Sequence, residues 1–156
     1  MIRLLFALIL LLPAAAAATP WDSPLNQRPA SAISVYYSPS CGCCKGWIRH
    51  LQRHHFKVEA IPSEDMAAVK KRLGVPESLG SCHTAVIGGY LIEGHVPAAD
   101  ILALIQRGDR RIRGISVPQM PTGTPGMEAG DRRDPFDVVA FDQHGNPSLF
   151  HRYPHY

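Results

Sequence analysis

Long hydrophobic runs are scarce in this sequence. After the apolar stretch at residues 4–12, none approaches the roughly 20 residues that a membrane-crossing helix needs. Strong charge of one sign is missing too: 16 Lys and Arg stand against 13 Asp and Glu, a net +3 too small and too scattered for a nucleic-acid surface. Cysteine is sparse, with four in 156 residues, and three of those fall within four positions. What is abundant is ordinary core material. At 46% hydrophobic and 19% charged, the composition fits one globular domain with a real core and little disorder.

The N-terminus reads as an export signal. Arg3 supplies a basic start, residues 4–12 an apolar stretch, and Ala16 and Ala18 an A-x-A cleavage site, so a signal peptide is expected over residues 1–18. A membrane anchor is the alternative, but the apolar run stops at Pro13. Loss of Arg3 leaves 15 basic against 13 acidic side chains. The mature product is expected to be soluble and periplasmic, with no stable membrane association and no nucleic-acid partner. Residues 19–31, TPWDSPLNQRPAS, are rich in proline and polar groups and read as a linker or leader strand. A core over 32–108 and an extension of the same domain over 109–156 should follow.

Periodicity sets the order of elements. Residues 33–37 (ISVYY) read as a buried strand ended by Ser38 and Pro39. A helix beginning near Cys43 carries Trp47, Ile48 and Leu51 on an apolar stripe, with Lys45, Arg49, Gln52 and Arg53 toward water. KVEAI, 57–61, alternates like a second strand. Pro62 and Ser63 are expected to open a second helix, with Met66, Val69 and Leu73 on its buried face and Gly74 as terminator. Residues 84–87 and 90–93 read as a hairpin around Gly88 and Gly89. Pro97 as a first helical residue, apolar Ile101, Leu102 and Ile105, and Gly108 mark a third helix. The fold class is therefore α/β, and the order β-α-β-α-β-β-α resembles a thioredoxin-like fold. A Gly/Pro loop and a β-hairpin, residues 137–153 around an Asp-to-Pro turn, extend it.

That topology gathers the cysteines. A third strand antiparallel to the first starts beside the first strand's end, so Cys82 and His83 should face Cys41, Cys43 and Cys44, and the fourth strand should carry His95 to the same edge. A helix N-terminus favours thiolate, which is both nucleophile and metal ligand. Cys41 and Cys44 form a CxxC, sufficient for a thiol–disulfide oxidoreductase, but Cys43 has no part in that scheme. Such enzymes also place a cis-proline before the third strand, where this chain reads LGSCHTAV. Adjacent Cys43 and Cys44 diverge by about 100° on a helix, so several sulfur-bridged ions fit better than one. Softness selects Cu(I) first and zinc as the alternative, while purely structural disulfides would be the bland outcome for exported cysteines.

SPSCGCCKGWIRHL, DMAAVKKRLGVP, SCHTAVIGGYLIEGHVP and MPTGTPGM together resemble the periplasmic metal-binding proteins linked to copper resistance and called CopG, unrelated to the plasmid repressor of that name. The resemblance runs from about Ile33 to Tyr153. It implies a thioredoxin-like fold and copper held by Cys41, Cys43, Cys44 and Cys82, with His83 beside them. Ser40 and Thr124 are conservative departures from the pattern. Other periplasmic copper-handling proteins are the partners it implies.

Further candidates are weighed residue by residue. His95 reaches the cysteine edge by topology. Met120 and Met127 flank the Gly/Pro loop, and thioether binds Cu(I), although from residue type alone loop packing explains them slightly better. His50 and His54 sit among Arg49, Gln52 and Arg53 and are expected on a wet face, as are His55, His144, His151 and His155. Met66 is expected in the core, with Trp47 and Tyr37 packing near the site.

Overall fold

The computed structural model describes Trp21 and residues 31–156. The signal peptide expected over 1–18, and all of the expected linker except Trp21 and Ser31, lie outside the described residues. In chain order the elements are β1 (Ala32–Tyr37), α1 (Gly42–Arg53), β2 (Lys57–Pro62), α2 (Met66–Leu73), β3 (His83–Ile87), β4 (Tyr90–Glu93), α3 (Ala98–Arg107), β5 (Gly114–Ser116), β6 (Phe136–Phe141) and β7 (Pro147–Tyr153). The described strands form one mixed sheet in the order β2-β1-β3-β4-β5-β6-β7.

Strand alternation builds two cores, one on each face of this sheet. Ile33, Val35, Ala85, Ile87, Ile92, Val138 and Ala140 point to the face covered by α1 and α3, where Trp47, Leu51, Ile101 and Leu104 are buried. Their neighbours Val86, Leu91, Val139 and Phe141 point the other way, against Leu73 of α2 and Leu79. The hairpin expected at Gly88 and Gly89 forms, with φ of 56° and 85° supplying the left-handed backbone that a side chain would strain.

Two helices start later than the sequence suggested. Strand β2 pairs through to Pro62, opposite Tyr37. Helix α2 therefore begins at Met66, with Asp65 accepting the Ala68 N–H at 2.8 Å. In α3 Pro97 is the N-cap and Ala98 the first helical residue. Proline offers no capping side chain, and His50 supplies the missing acceptor: its Nε2 takes the Ala98 N–H at 3.0 Å. His50 is 1% exposed, which corrects the wet-face expectation. It follows Trp47 by three residues, so helical geometry puts it on the buried stripe despite its polar neighbours.

Strand β5 was not anticipated. Three residues headed by a glycine carry almost no strand signal, yet β5 joins the two halves of the sheet, parallel to β4 and antiparallel to β6. Glycine is required there: a Cβ on Gly114 would lie 2.4 Å from the Leu91 carbonyl oxygen. The expected C-terminal hairpin does extend the sheet, as β6 and β7. Trp21 packs against Phe136, Tyr153 and Tyr156 and donates from Nε1 to the Gly123 carbonyl at 2.8 Å, anchoring that extension.

Candidate metal centre

Register brings the two sulfur-bearing segments together. Tyr37, the last residue of β1, pairs with His83, the first of β3. The turn into α1 therefore faces the segment that leads into β3. Cys41 is the N-cap of α1, its Sγ 3.2 Å from the Cys44 N–H. Cys43 Sγ lies 3.4 Å from Cys41 Sγ and 3.9 Å from Cys82 Sγ. The ligand atoms of Cys41, Cys43, Cys44 and Cys82 all fall within 4.8 Å of one another, as do those of Cys82, His83 and His95. Cys41 and Cys44 are joined in a disulfide, while Cys43 and Cys82 are free. Four thiolates at this centre require that disulfide to be reduced.

Two imidazoles lie against the Cys82 sulfur. His95 Nε2 is 3.1 Å from Cys82 Sγ, and its Nδ1 is 2.8 Å from the Pro125 carbonyl oxygen. A carbonyl only accepts, so Nδ1 carries the hydrogen and Nε2 turns its lone pair to the sulfur, the tautomer a metal-binding histidine needs. His83 Nδ1 sits 3.2 Å from the same sulfur; its Nε2 is buried with no hydrogen-bond partner. The His83 ring lies 4.3 Å from that of Trp47, whose Nε1 is fixed by the Val96 carbonyl at 2.8 Å.

Burial decides the protonation states. Desolvation holds the pKa of both His83 and His95 below the ordinary 6.5, so both rings are neutral at neutral pH. The Cys82 thiol is pushed up to about 12, first by burial and then by Cys43. Cys82 therefore keeps its proton at neutral pH, and a metal ion bound there would have to displace it.

Met127 and Cys43 line one groove beside α1. Met120 is 51% exposed. The loop carrying both methionines approaches α1 at paired glycines: a Cβ on Gly46 would be 3.0 Å from Gly126 Cα, and one on Gly126 2.5 Å from the Trp47 nitrogen. Tyr37 packs at the edge of the core, and Met66 is half-buried at the start of α2. His54 and His151 are held rather than free, by the Trp21 carbonyl and by Asp100 at 2.7 Å.

One polar centre was missed from sequence. Glu93 is fully buried, and its carboxylate accepts from Lys70 Nζ, the Ser81 N–H at 2.6 Å and Thr84 Oγ1 at 2.6 Å. It thereby holds the residue immediately before Cys82. The available signal was an acid closing an otherwise apolar strand, YLIE.

A family described as "Protein of unknown function, DUF411" matches residues 79–127, which include Cys82, His83 and His95. Two solved structures match at greater length. "Copper resistance protein copG- Form 2" is 53% identical over 80% of this chain and 99% of that chain, with a TM-score of 0.76. "Copper resistance protein copG- Form 1" is 52% identical over 82% and 100%, with a TM-score of 0.76. The chain belongs to the CopG copper resistance protein family. No curated protein matches. In this CopG-family chain the sulfur and imidazole atoms form a cluster that could hold metal, and the described residues include no helix long and apolar enough to cross a membrane.

Proposed function

We propose that this CopG-family protein is a periplasmic copper-binding protein that holds Cu(I), several ions at once, through Cys41, Cys43, Cys44 and Cys82 for copper resistance or homeostasis. A thioredoxin-like core over 32–108 presents the site, the extension over 109–156 covers it, and a signal peptide over 1–18 directs export. The observation that carries the reading is the convergence of four sulfurs within 4.8 Å, with a neutral imidazole nitrogen 3.1 Å from Cys82. Soft thiolates favour Cu(I) over harder ions, and clustered sulfurs suit bridging between ions. His83 and His95 are the nitrogen donors. Met127 stands close enough to the groove to receive copper, and Met120 serves as an outer thioether.

The test is metal analysis of protein reduced and loaded with Cu(I) without oxygen, beside the Cys82→Ala variant. More than one copper per chain is expected in the wild type and fewer in the variant; equal content would remove Cys82 from the site. A thiol–disulfide oxidoreductase is the second reading, favoured by the Cys41–Cys44 disulfide at a helix N-terminus. It requires insulin reductase activity that survives Cys43→Ser and Cys82→Ser but not Cys41→Ser.

A further inference from the structure

The Cys41–Cys44 disulfide divides the donor cluster unequally: it withdraws two of the four sulfurs and neither imidazole. Cys43 and Cys82 stay free, and Cys82 is the corner at which the remaining donors meet. Its Sγ lies 3.9 Å from Cys43 Sγ, 3.1 Å from His95 Nε2 and 3.2 Å from His83 Nδ1. Two thiolates on one tetrahedral zinc, each about 2.3 Å from it, stand about 3.8 Å apart, and a thiolate and an imidazole nitrogen about 3.5 Å. The three edges that leave Cys82 come within about half an ångström of that figure. Two cysteines with two histidines are a zinc set, and His95 is already oriented by the Pro125 carbonyl, 2.8 Å from its Nδ1.

Charge points the same way. His83 and His95 are fully buried, so an ion held against them is taken out of water together with its ligands. Two thiolates, two neutral imidazoles and a divalent ion sum to zero charge, whereas a single Cu(I) in the same set leaves a net negative charge in a dry place, which is costly. Cu(II) favours a tetragonal arrangement over a tetrahedral one. With all four sulfurs reduced the balance changes, because several Cu(I) ions can share them. Cys43 and Cys82 belong to both sets, so the two occupancies compete.

We propose that the disulfide form of this protein holds one zinc ion between Cys43, Cys82, His83 and His95, and that reduction of the disulfide exchanges it for Cu(I). The second half rests on the copper reading above. Zinc enters as the thiol protons of Cys43 and Cys82 pass to water. In the exchange a dithiol gives two electrons and two protons to Cys41 and Cys44 and closes into its own disulfide. Copper–sulfur bonds then form at all four cysteines, the protons of Cys41 and Cys44 pass to water, and the bonds to zinc break. Neither metal changes oxidation state.

The experiment starts from protein with two titratable thiols, the mark of an intact disulfide, stripped of metal and equilibrated with zinc. One zinc per chain is expected, and cobalt(II) in its place should give the intense visible bands of a tetrahedral thiolate site. Cys41→Ser combined with Cys44→Ser should keep that zinc, since neither sulfur holds it. Cys82→Ser and His83→Phe should each weaken it by about 100-fold or more, beyond what loss of an outer partner causes. A water-soluble phosphine, which becomes its oxide as it reduces the disulfide, followed by Cu(I) without oxygen, should release the zinc in step with copper uptake. Disulfide-form protein that takes no zinc, or zinc that Cys82→Ser binds equally well, would overturn the inference and leave the copper reading intact. Zinc retained beside a full load of Cu(I) would overturn the exchange. Reduced protein that keeps zinc and refuses Cu(I) would overturn the exchange together with the copper reading.

Discussion

Two polar centres sit side by side in this sheet, on the consecutive residues His83 and Thr84 of β3, and they are built in opposite ways. At Thr84 and Glu93 every polar atom of the buried carboxylate is answered, by a lysine, a hydroxyl and a backbone N–H. At His83 and His95 two neutral rings face a thiol that keeps its proton, and His83 Nε2 has no partner. Full satisfaction marks a centre whose work is to hold the chain, since a buried charge is tolerated only when paired and hydrogen-bonded. A ring nitrogen left without a partner in a dry place, beside a thiol, is the arrangement expected of a centre that something else completes.

The contrast can be tested by breaking each side in turn. Glu93→Ala should be the most damaging change, costing about 3–5 kcal/mol because it strands Lys70, Thr84 and the Ser81 N–H; the measurement is denaturant unfolding of the metal-free protein. Next comes Gly126→Ala, which combines a φ of 85° with a Cβ 2.5 Å from the Trp47 nitrogen. It should lower stability by about 1–3 kcal/mol and lower copper affinity, because Pro125, the anchor of His95, moves with the loop. Acid should act on the histidine side. Both rings have folded-state pKa values depressed below 6.5, so the unfolded chain binds more protons below that value. Stability is complete above pH 6.5 and is lost progressively as pH falls toward the folded values. A melting temperature that falls between pH 7 and pH 5 is the expected record. The smallest effect on folding belongs to His83→Phe: it keeps a ring against Trp47 and removes an orphaned polar atom, so stability should change by no more than about 1 kcal/mol. Copper affinity should nevertheless drop, a split that a purely structural histidine would not show.

Much of this was legible in the residues, and for definite reasons. Alternation in 33–37 and the Gly88–Gly89 turn determine which strand ends meet, so Cys82 could be placed opposite Cys43 across a gap of 39 residues. The same strand arithmetic brought His95 to the cluster. Burial of His50 escaped because Arg49, Gln52 and Arg53 around it are polar, while the atom that captures it, the Ala98 N–H, is 48 residues away. Strand β5 escaped because its three residues owe their conformation to β4 and β6 rather than to their own propensity. The Glu93 network draws on α2, β3 and β4 together, and no local pattern encodes such a meeting. The Cys41–Cys44 disulfide shares its spacing with a ligand pair, so sequence alone leaves both uses open.

X-ray absorption at the copper edge, on reduced protein loaded anaerobically with Cu(I), tests the central claim most directly. A shell dominated by sulfur with copper–copper scattering is expected, with fewer sulfurs per copper in Cys82→Ser. A shell of only nitrogen and oxygen, or a spectrum that Cys82→Ser leaves unchanged, would contradict it.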